Sequence, residues 1–358
     1  MYHKDTEFQN ILGKVSTNSR IFKTETGRNE SALQIRSLKM SAHPKDWQVI
    51  INPTAGQGRG GQRWARVSRK LGGSWQVKHT QYGGHLGQLV HEALDRGCRH
   101  LIGVGGDGTH HELINGILTH PSAPDTTYAL LPAGTGNDWA RMWGISSRPD
   151  QWAAMFAQQQ TAWQDVGLVT CDFQGKIVRR AFVNMAGLGY GANVVRHMKQ
   201  AGKQGGGHLR YLVAGIQSLH TWKPQPVRMV IDGTPISMAV FLLQFGISAF
   251  AGGGMQFAPH AHPADGLLAC TLIGEVSTGR IVQNLHRLYL GTIGSMKGVE
   301  LNSVQEIRIA HLDEHEPLWL ECDGELIGHT PVTLSVAPRA LRVLCPEESA
   351  RKWNPEES

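Results

Sequence analysis

Two glycine-rich stretches place acids and hydroxyls where a phosphate could sit: GVGGDGTHHELING at Gly103–Gly116 and LLPAGTGNDWAR at Leu130–Arg141. In the first, Gly105, Gly106 and Gly108 let the backbone approach a ligand without Cβ obstruction. Thr109 is placed to cap a following helix whose amides face an anion. Asp107 inside such a turn repels phosphate unless a divalent cation stands between them, so the combination predicts nucleotide phosphate with Mg2+. Glu112 and Asn115 share one face of the same helix. The second stretch repeats the logic, with Thr135 between glycines and Asn137-Asp138 opening a helix. The bland reading of the first stretch is an Asp-Gly turn with a helix cap, and one such turn would be ordinary. Two in succession, each with an acid and a hydroxyl, predict a phosphoryl-transfer cleft.

Other patterns carry less. GQGRGG at Gly56–Gly61 satisfies GxGxxG, yet the next strand, WQVKHTQ, holds no acid for a ribose, and Gly61-Gln62-Arg63 replaces the Gly-Lys-Ser/Thr of a P-loop. A tight turn needing positive φ explains it as well. His110-His111-Glu112 is not HExxH, because Asn115 falls where the second histidine would be needed. His260, His262 and Asp265 do not read as a metal triad, since Pro263 interrupts them, and no GxSxG supports a serine hydrolase.

The elements that must position these turns alternate. QVIINP, WQVKHT, HLIGVGG and YALLPAG read as strands, spaced by the helix-like QRWARVSRKL, HLGQLVHEALDRG and THHELINGIL. That spacing predicts βαβ units and a parallel sheet whose successive turns gather at one edge. After QWAAMFAQQQ, strand-like runs dominate, and Asp232-Gly233 between two of them marks a hairpin. YLVAGIQSLH (211–220) and RIVQNLHRLYL (280–290) read as helices among them. The expected organisation is a polar leader over 1–44, an α/β Rossmann-like nucleotide-binding domain over 45–162, a β-rich, sandwich-like domain over 163–346 whose last strand returns to the first, and a tail over 347–358. Met40 begins a segment that runs directly into the first strand and could be the true start, so residues 1–39 read as a mis-set start or a floppy tail and, carrying acidic residues, not as a targeting peptide.

Composition sets bounds. The 358 residues are 41% hydrophobic and 18% charged, which excludes a disordered chain. The longest apolar run, around Ala239–Ala251, is broken by Gln244, Gly246 and Ser248 and is too short to span a bilayer. Five scattered cysteines without a CxxC argue against a disulfide framework or a zinc site and fit a reducing compartment. A net charge of +6 could aid contact with an anionic surface but is no nucleic-acid footprint.

NPTAGQGRGG, GGDGTHHELING and LPAGTGNDWAR resemble the catalytic domain of the diacylglycerol kinase-like lipid kinases, a superfamily that includes bacterial diacylglycerol and YegS-type kinases, sphingosine kinases and ceramide kinase. FVNMAGLGYGANVV (182–195), GGGMQFAPHAHPADGLL (252–268) and LECDGELIGHTPVTLSVAPRALRVLCP (320–346) resemble its second-domain signatures, so the likeness runs from about Trp47 to Pro346. It implies a nucleotide cleft between the two domains, with ATP held by Asn52, Thr80, the backbone of Gly105–Thr109 with Asp107, Glu112, Thr135 and Asp138. It also implies Asp323 as general base, and a Mg2+ site of Asp265 with the backbone carbonyls of His262 and Leu267. Read without the resemblance, Asp323-Gly324 is a hairpin turn. Two departures stand out: GISAFAGGG lacks an asparagine frequent before the glycine run, and Trp139 replaces a common Phe.

The function this implies is ATP- and Mg2+-dependent phosphorylation of a lipid hydroxyl, with diacylglycerol leading and sphingoid bases or phosphatidylglycerol open. The enzyme would be cytoplasmic and peripheral at the inner face of the membrane, without nucleic-acid partners, and a homodimer is compatible with it. Two alternatives remain: an NAD kinase, which shares the GGDGT turn, and a nucleotide- or lipid-binding sensor without turnover.

Overall fold

Buried apolar runs become the first parallel strands of the computed structural model, which describes residues 44–173, 175–200, 219, 222–312 and 317–354. The expected leader and the helix at 211–220, Leu219 apart, lie outside the described residues. Strands β1 (Trp47–Ile51), β2 (Gln76–His79), β3 (His100–Gly105) and β4 (Thr127–Pro132) lie side by side in the order β4-β3-β1-β2, all parallel. β2 is the exposed edge and carries polar residues, as an edge strand should. Helices α1 (Gly60–Leu71), α2 (His85–Asp95) and α3 (Asp107–Leu118) connect them. In α2, Leu86, Leu89, Val90, Ala93 and Leu94 form the single apolar stripe that packs it down. Helices α4 (Asp138–Met142) and α5 (Pro149–Gln158) complete this half, bringing Trp139 and Trp152 into a core shared with Trp47.

The second half is mostly antiparallel. Its strands are β5 (Thr161–Phe173), β6 (Lys176–Phe182), β7 (Met185–Gly189), β8 (Gln225–Ile231), β9 (Thr234–Val240), β10 (Leu242–Gly246), the short pair β11 (Phe250–Ala251) and β12 (Met255–Gln256), β13 (Leu268–Ile273), β14 (Val299–Val304), β15 (Glu306–His311), β16 (Trp319–Cys322) and β17 (Glu325–Leu344). The β8–β9 hairpin turns on Asp232 and Gly233, both with positive φ. Helix α6 (Tyr190–Gln200) follows β7, and α9 (Glu347–Trp353) ends the described chain. The run read as one helix over 280–290 forms two, α7 (Thr278–Asn284) and α8 (His286–Leu290), because the hydrogen bonding tightens to three-residue spacing on both sides of Leu285.

One sheet runs through both halves in the order β14-β13-β10-β7-β16-β17-β4-β3-β1-β2. The joint is β17, which pairs antiparallel with β5 from His329 to Leu344 and parallel with β4 at Arg342 and Val343. Sequence patterning suggests two strands there, separated by prolines. The chain instead carries a single strand past Pro331 and Pro338, and its register against β5 shifts at each, since a proline cannot donate to the ladder.

Candidate active site

Both glycine turns lie at the carboxyl ends of neighbouring strands, β3 and β4, and pack backbone against backbone. A Cβ on Gly106 would lie 2.9 Å from Gly134 Cα, and one on Gly134 would lie 2.5 Å from Gly106 Cα. The Gly56 turn joins them, with a Cβ there falling 1.9 Å from the Ala133 carbonyl oxygen. Asn52 links the stretch before the Gly56 turn to the Gly105–Thr109 turn: its Nδ2 donates to Thr109 Oγ1 at 3.0 Å, while its Oδ1 accepts from the Thr54 amide and hydroxyl. Gly108 and Thr135 are exposed at the rim, and Thr80 ends β2 half-buried, its amide bonded to Ile51. These are the surfaces on which phosphate oxygens could meet amides.

The acids of these turns behave differently from the sequence expectation. Asp107 does not project toward a ligand; its two oxygens accept the Asn137 and Asp138 amides at 2.8 and 2.9 Å. Asp138 in turn accepts the Gly253 and Gly254 amides, both at 2.7 Å, and so fastens α4 to the glycine run of the second half. Burial and the neighbouring Asp138 charge push the Asp107 carboxyl up to about 6. Thr109 does not cap α3, which begins at Asp107 after an extended Gly106. Glu112 is turned from the nucleotide face: its Oε1 accepts the Leu86 amide at 2.9 Å and closes the uncapped start of α2.

Asp323 sits in the β16–β17 turn with φ 49° and is buried. Its Oδ1 accepts the Asn184 and Met185 amides at 3.0 and 2.9 Å; its Oδ2 accepts the Val183 amide at 3.1 Å and bonds His111 Nδ1 at 3.0 Å. Burial raises this carboxyl, but the His111 bond and charge and the backbone amides outweigh it and hold it below the usual carboxylate range. Burial opposes a charged His111, yet Asp323 and Glu325 together raise it. The pair is therefore a buried ion pair joining α3 to the second half. All of its designed acceptor positions being engaged, Asp323 is a poor match for the free base expected of it. The exposed carboxylate of the same turn is Glu325, whose Oε2 lies 4.0 Å from His111 Nε2. Asp107 and Asp323 influence one another electrostatically, so acids from both halves do share one region.

Asp265 is exposed and its Oδ1 accepts the Leu267 amide, while His262 Nδ1 accepts the Ala264 amide. The nearby Asp165 is fully buried with both oxygens taken, by the Gly266 and Arg339 amides. One free carboxylate oxygen beside backbone carbonyls is a weak donor set, and no group of three or more His, Cys, Asp or Glu among the described residues could hold a metal. A resident metal centre does not fit these residues.

Beyond the turn, an apolar cavity of about 740 Å3, counted with its open mouth, lies between the second-half sheet and helices α6, α7 and α8. Tyr190 and Val194, Leu242 and Ile273, and Leu285 and Leu288 wall it from these three sides.

A family model described as the diacylglycerol kinase catalytic domain matches residues 46–169, and one described as the YegS C-terminal NAD kinase beta sandwich-like domain matches residues 184–345. A protein of Pseudomonas aeruginosa strain UCBPP-PA14, named as a probable YegS-like lipid kinase, is 30% identical over 290 residues, 79% of this chain and 88% of its own. The chain belongs to the diacylglycerol kinase-like lipid kinase family. A diacylglycerol kinase of Mycobacterium tuberculosis strain H37Rv is similar at 27% identity over 310 residues, 83% of this chain and 94% of that one. Among solved structures, a diacylglycerol kinase from Bacillus anthracis str. Sterne superposes with a TM-score of 0.62 at 20% identity, covering 86% of this chain and 98% of that one. At that identity the likeness speaks for the fold.

In this lipid kinase family member, sequence reasoning passed over His111, Glu325, Glu321 and Asp165. His111 was visible only as half of a failed HExxH, because its partner lies 212 residues away. Glu325 stood in the quoted Cys-Asp-Gly-Glu segment, where a hairpin favours a polar residue whatever its role.

Proposed function

We propose that the protein transfers the γ-phosphoryl group of ATP to the hydroxyl of diacylglycerol or a closely related lipid alcohol. The observation that carries the lipid acceptor is the apolar cavity, which lies on the same sheet as the Asp323 turn and is walled almost wholly by apolar side chains. A nucleotide-only enzyme has no need of it. The glycine turns after β3 and β4 would receive the ATP phosphates through backbone amides. A divalent ion would arrive with the nucleotide and supply charge neutralisation, since no cluster that could hold it is built among the described residues.

The acceptor oxygen attacks the γ-phosphorus as the bond to the bridging oxygen of ADP breaks, and the hydroxyl proton leaves to a carboxylate. Glu325 has the exposure for that task. Asp323 positions it through His111, and positioning supplies much of the acceleration. Among the described residues no helix is long and apolar enough to cross a membrane. Work at a lipid surface is supported by Val282, Tyr289 and Leu290, exposed by 47%, 49% and 67% on the helices that roof the cavity.

The test is direct. Purified protein with Mg2+ and labelled ATP is offered diacylglycerol, sphingosine, phosphatidylglycerol and NAD, and the products are separated by mass spectrometry. A phosphorylated lipid is expected; phosphorylated NAD with every lipid inert, or ATP bound without turnover, refutes the proposal.

A further inference from the structure

Over the apolar cavity two surface features coincide. The first is apolar side chains in water: Val282 on α7 and Tyr289 and Leu290 on α8 are exposed. Helix geometry turns them outward. Two residues along a helix is a rotation of about 200°, so Val282 faces away from the cavity-lining Asn284, and Leu290 away from the cavity-lining Leu288. Single exposed apolar residues are ordinary, but three within nine residues form a patch.

The second feature is positive charge. From Val276 to Val299 the sequence holds Arg280, Arg287 and Lys297 and no acid, +3 against +6 for the whole chain. Arg280 and Lys297 are exposed, and among the described residues none of the ion pairs uses any of the three. Arg287 is half-buried: its Nε donates to Asn284 Oδ1 at 2.7 Å and its Nη1 to Ser295 Oγ. Both acceptors are neutral, so these bonds fix the guanidinium without cancelling its charge. Cations alone would not single out this face. Helix α1 also shows Arg66 and Arg69 to solvent, but its Trp64 and Val67 are buried, so its apolar side is turned inward.

We propose that the outer face of α7 and α8 docks on an anionic phospholipid leaflet, with Val282, Tyr289 and Leu290 among the acyl chains and Arg280, Arg287 and Lys297 at the phosphates. Apolar tips flanked by long basic side chains suit such a surface. The tips enter the boundary between headgroups and acyl chains, while the basic side chains reach back to the headgroups. Each cation near an anionic leaflet adds an attraction that salt screens. A neutral leaflet would engage the apolar tips and leave the three cations without partners. Docking here sets the walls of the cavity against the layer that holds the acceptor. The inference deepens the lipid-kinase reading, on which its choice of a membrane as partner rests, and adds the charge of that membrane.

Pelleting of the full chain with sucrose-loaded vesicles tests this. Vesicles of phosphatidylcholine with phosphatidylglycerol at about one part in three should bind at least about tenfold more tightly than phosphatidylcholine alone at low salt. Near ~0.5 M NaCl the preference should vanish. R280E/K297E should lose the preference while melting as wild type does, because both side chains are exposed. R66E/R69E makes the same change in net charge on α1 and should keep it. L290D should weaken binding to both kinds of vesicle. Equal binding of wild type to the two vesicles, equal loss of preference in R280E/K297E and R66E/R69E, or L290D binding as wild type does overturns the docking face. So does a dimer in sedimentation that L290D dissolves while vesicle binding is unchanged. Phosphotransfer to a short-chain diglyceride in free solution keeps the two readings apart. Activity there without a vesicle preference overturns the docking alone; a vesicle preference with no activity on any lipid alcohol overturns the kinase reading while the docking stands.

Discussion

Single carboxylates in this protein do different work according to what surrounds them. Asp323 satisfies three backbone amides and one imidazole, so D323N would leave donors facing an amide group. Breaking such a buried pair costs about 3–5 kcal/mol, so D323N should melt well below wild type and lose most phosphotransfer. E325Q, by contrast, changes an exposed side chain and should keep the wild-type melting curve. Its kcat should nevertheless fall by about 100-fold or more, as loss of a general base does, and that contrast in two simple measurements separates a positioning acid from a reacting one. Glu321 has its own signature. Its folded carboxyl titrates near 8, above the unfolded value near 4.3, so its contribution to stability is complete below that lower value and is lost as pH climbs toward 8. Thermal melts at pH 5 and pH 8.5 should show wild type losing ground to E321Q by a few kcal/mol, on the order of 5 °C. No pH dependence of the difference would mean that Glu321 is ionised in the fold.

At the scale of elements, the glycine turns after β3 and β4 hold their form because two backbones touch. In G134A the new Cβ would meet Gly106 Cα, and backbone cannot swing aside as a side chain can. KM for ATP should rise about tenfold or more and the melting point should drop, whereas G108A, with open space around it, should alter neither backbone packing nor stability beyond about 1 kcal/mol. Much of this level was legible in advance. The apolar strands, the helices between them and the two glycine turns announce themselves through local periodicity, and Asp232-Gly233 announces its hairpin. What stayed hidden is non-local. Nothing near Glu112 says that it accepts an amide 26 residues earlier at the start of a helix, and nothing near Asp138 says that one of its oxygens holds an amide 115 residues later. Acids gathered in glycine turns look like ligand contacts because their alternative partners come from other elements. The length of β17 was also obscured, since prolines punctuate a sequence even where a strand tolerates them at register shifts.

At the scale of the whole molecule, the proposed work at a lipid surface falls to the exposed apolar side chains of the helices over the cavity. Leu290 is two-thirds exposed on the roof of the cavity without itself walling it. L290D should therefore reduce turnover of diacylglycerol in anionic vesicles roughly tenfold, since inserting a leucine is worth about 1.5–3 kcal/mol. Turnover of a short-chain diglyceride in free solution should be unaffected, which a parallel assay can check. Equal losses in both assays would assign Leu290 to the fold instead of the interface.

Because β17 pairs with β5 from His329 to Leu344 and with β4 at Arg342 and Val343, one strand belongs to both halves of the molecule. Prising the halves apart at that seam would first break the rungs that Arg342 and Val343 make with Thr127 and Tyr128.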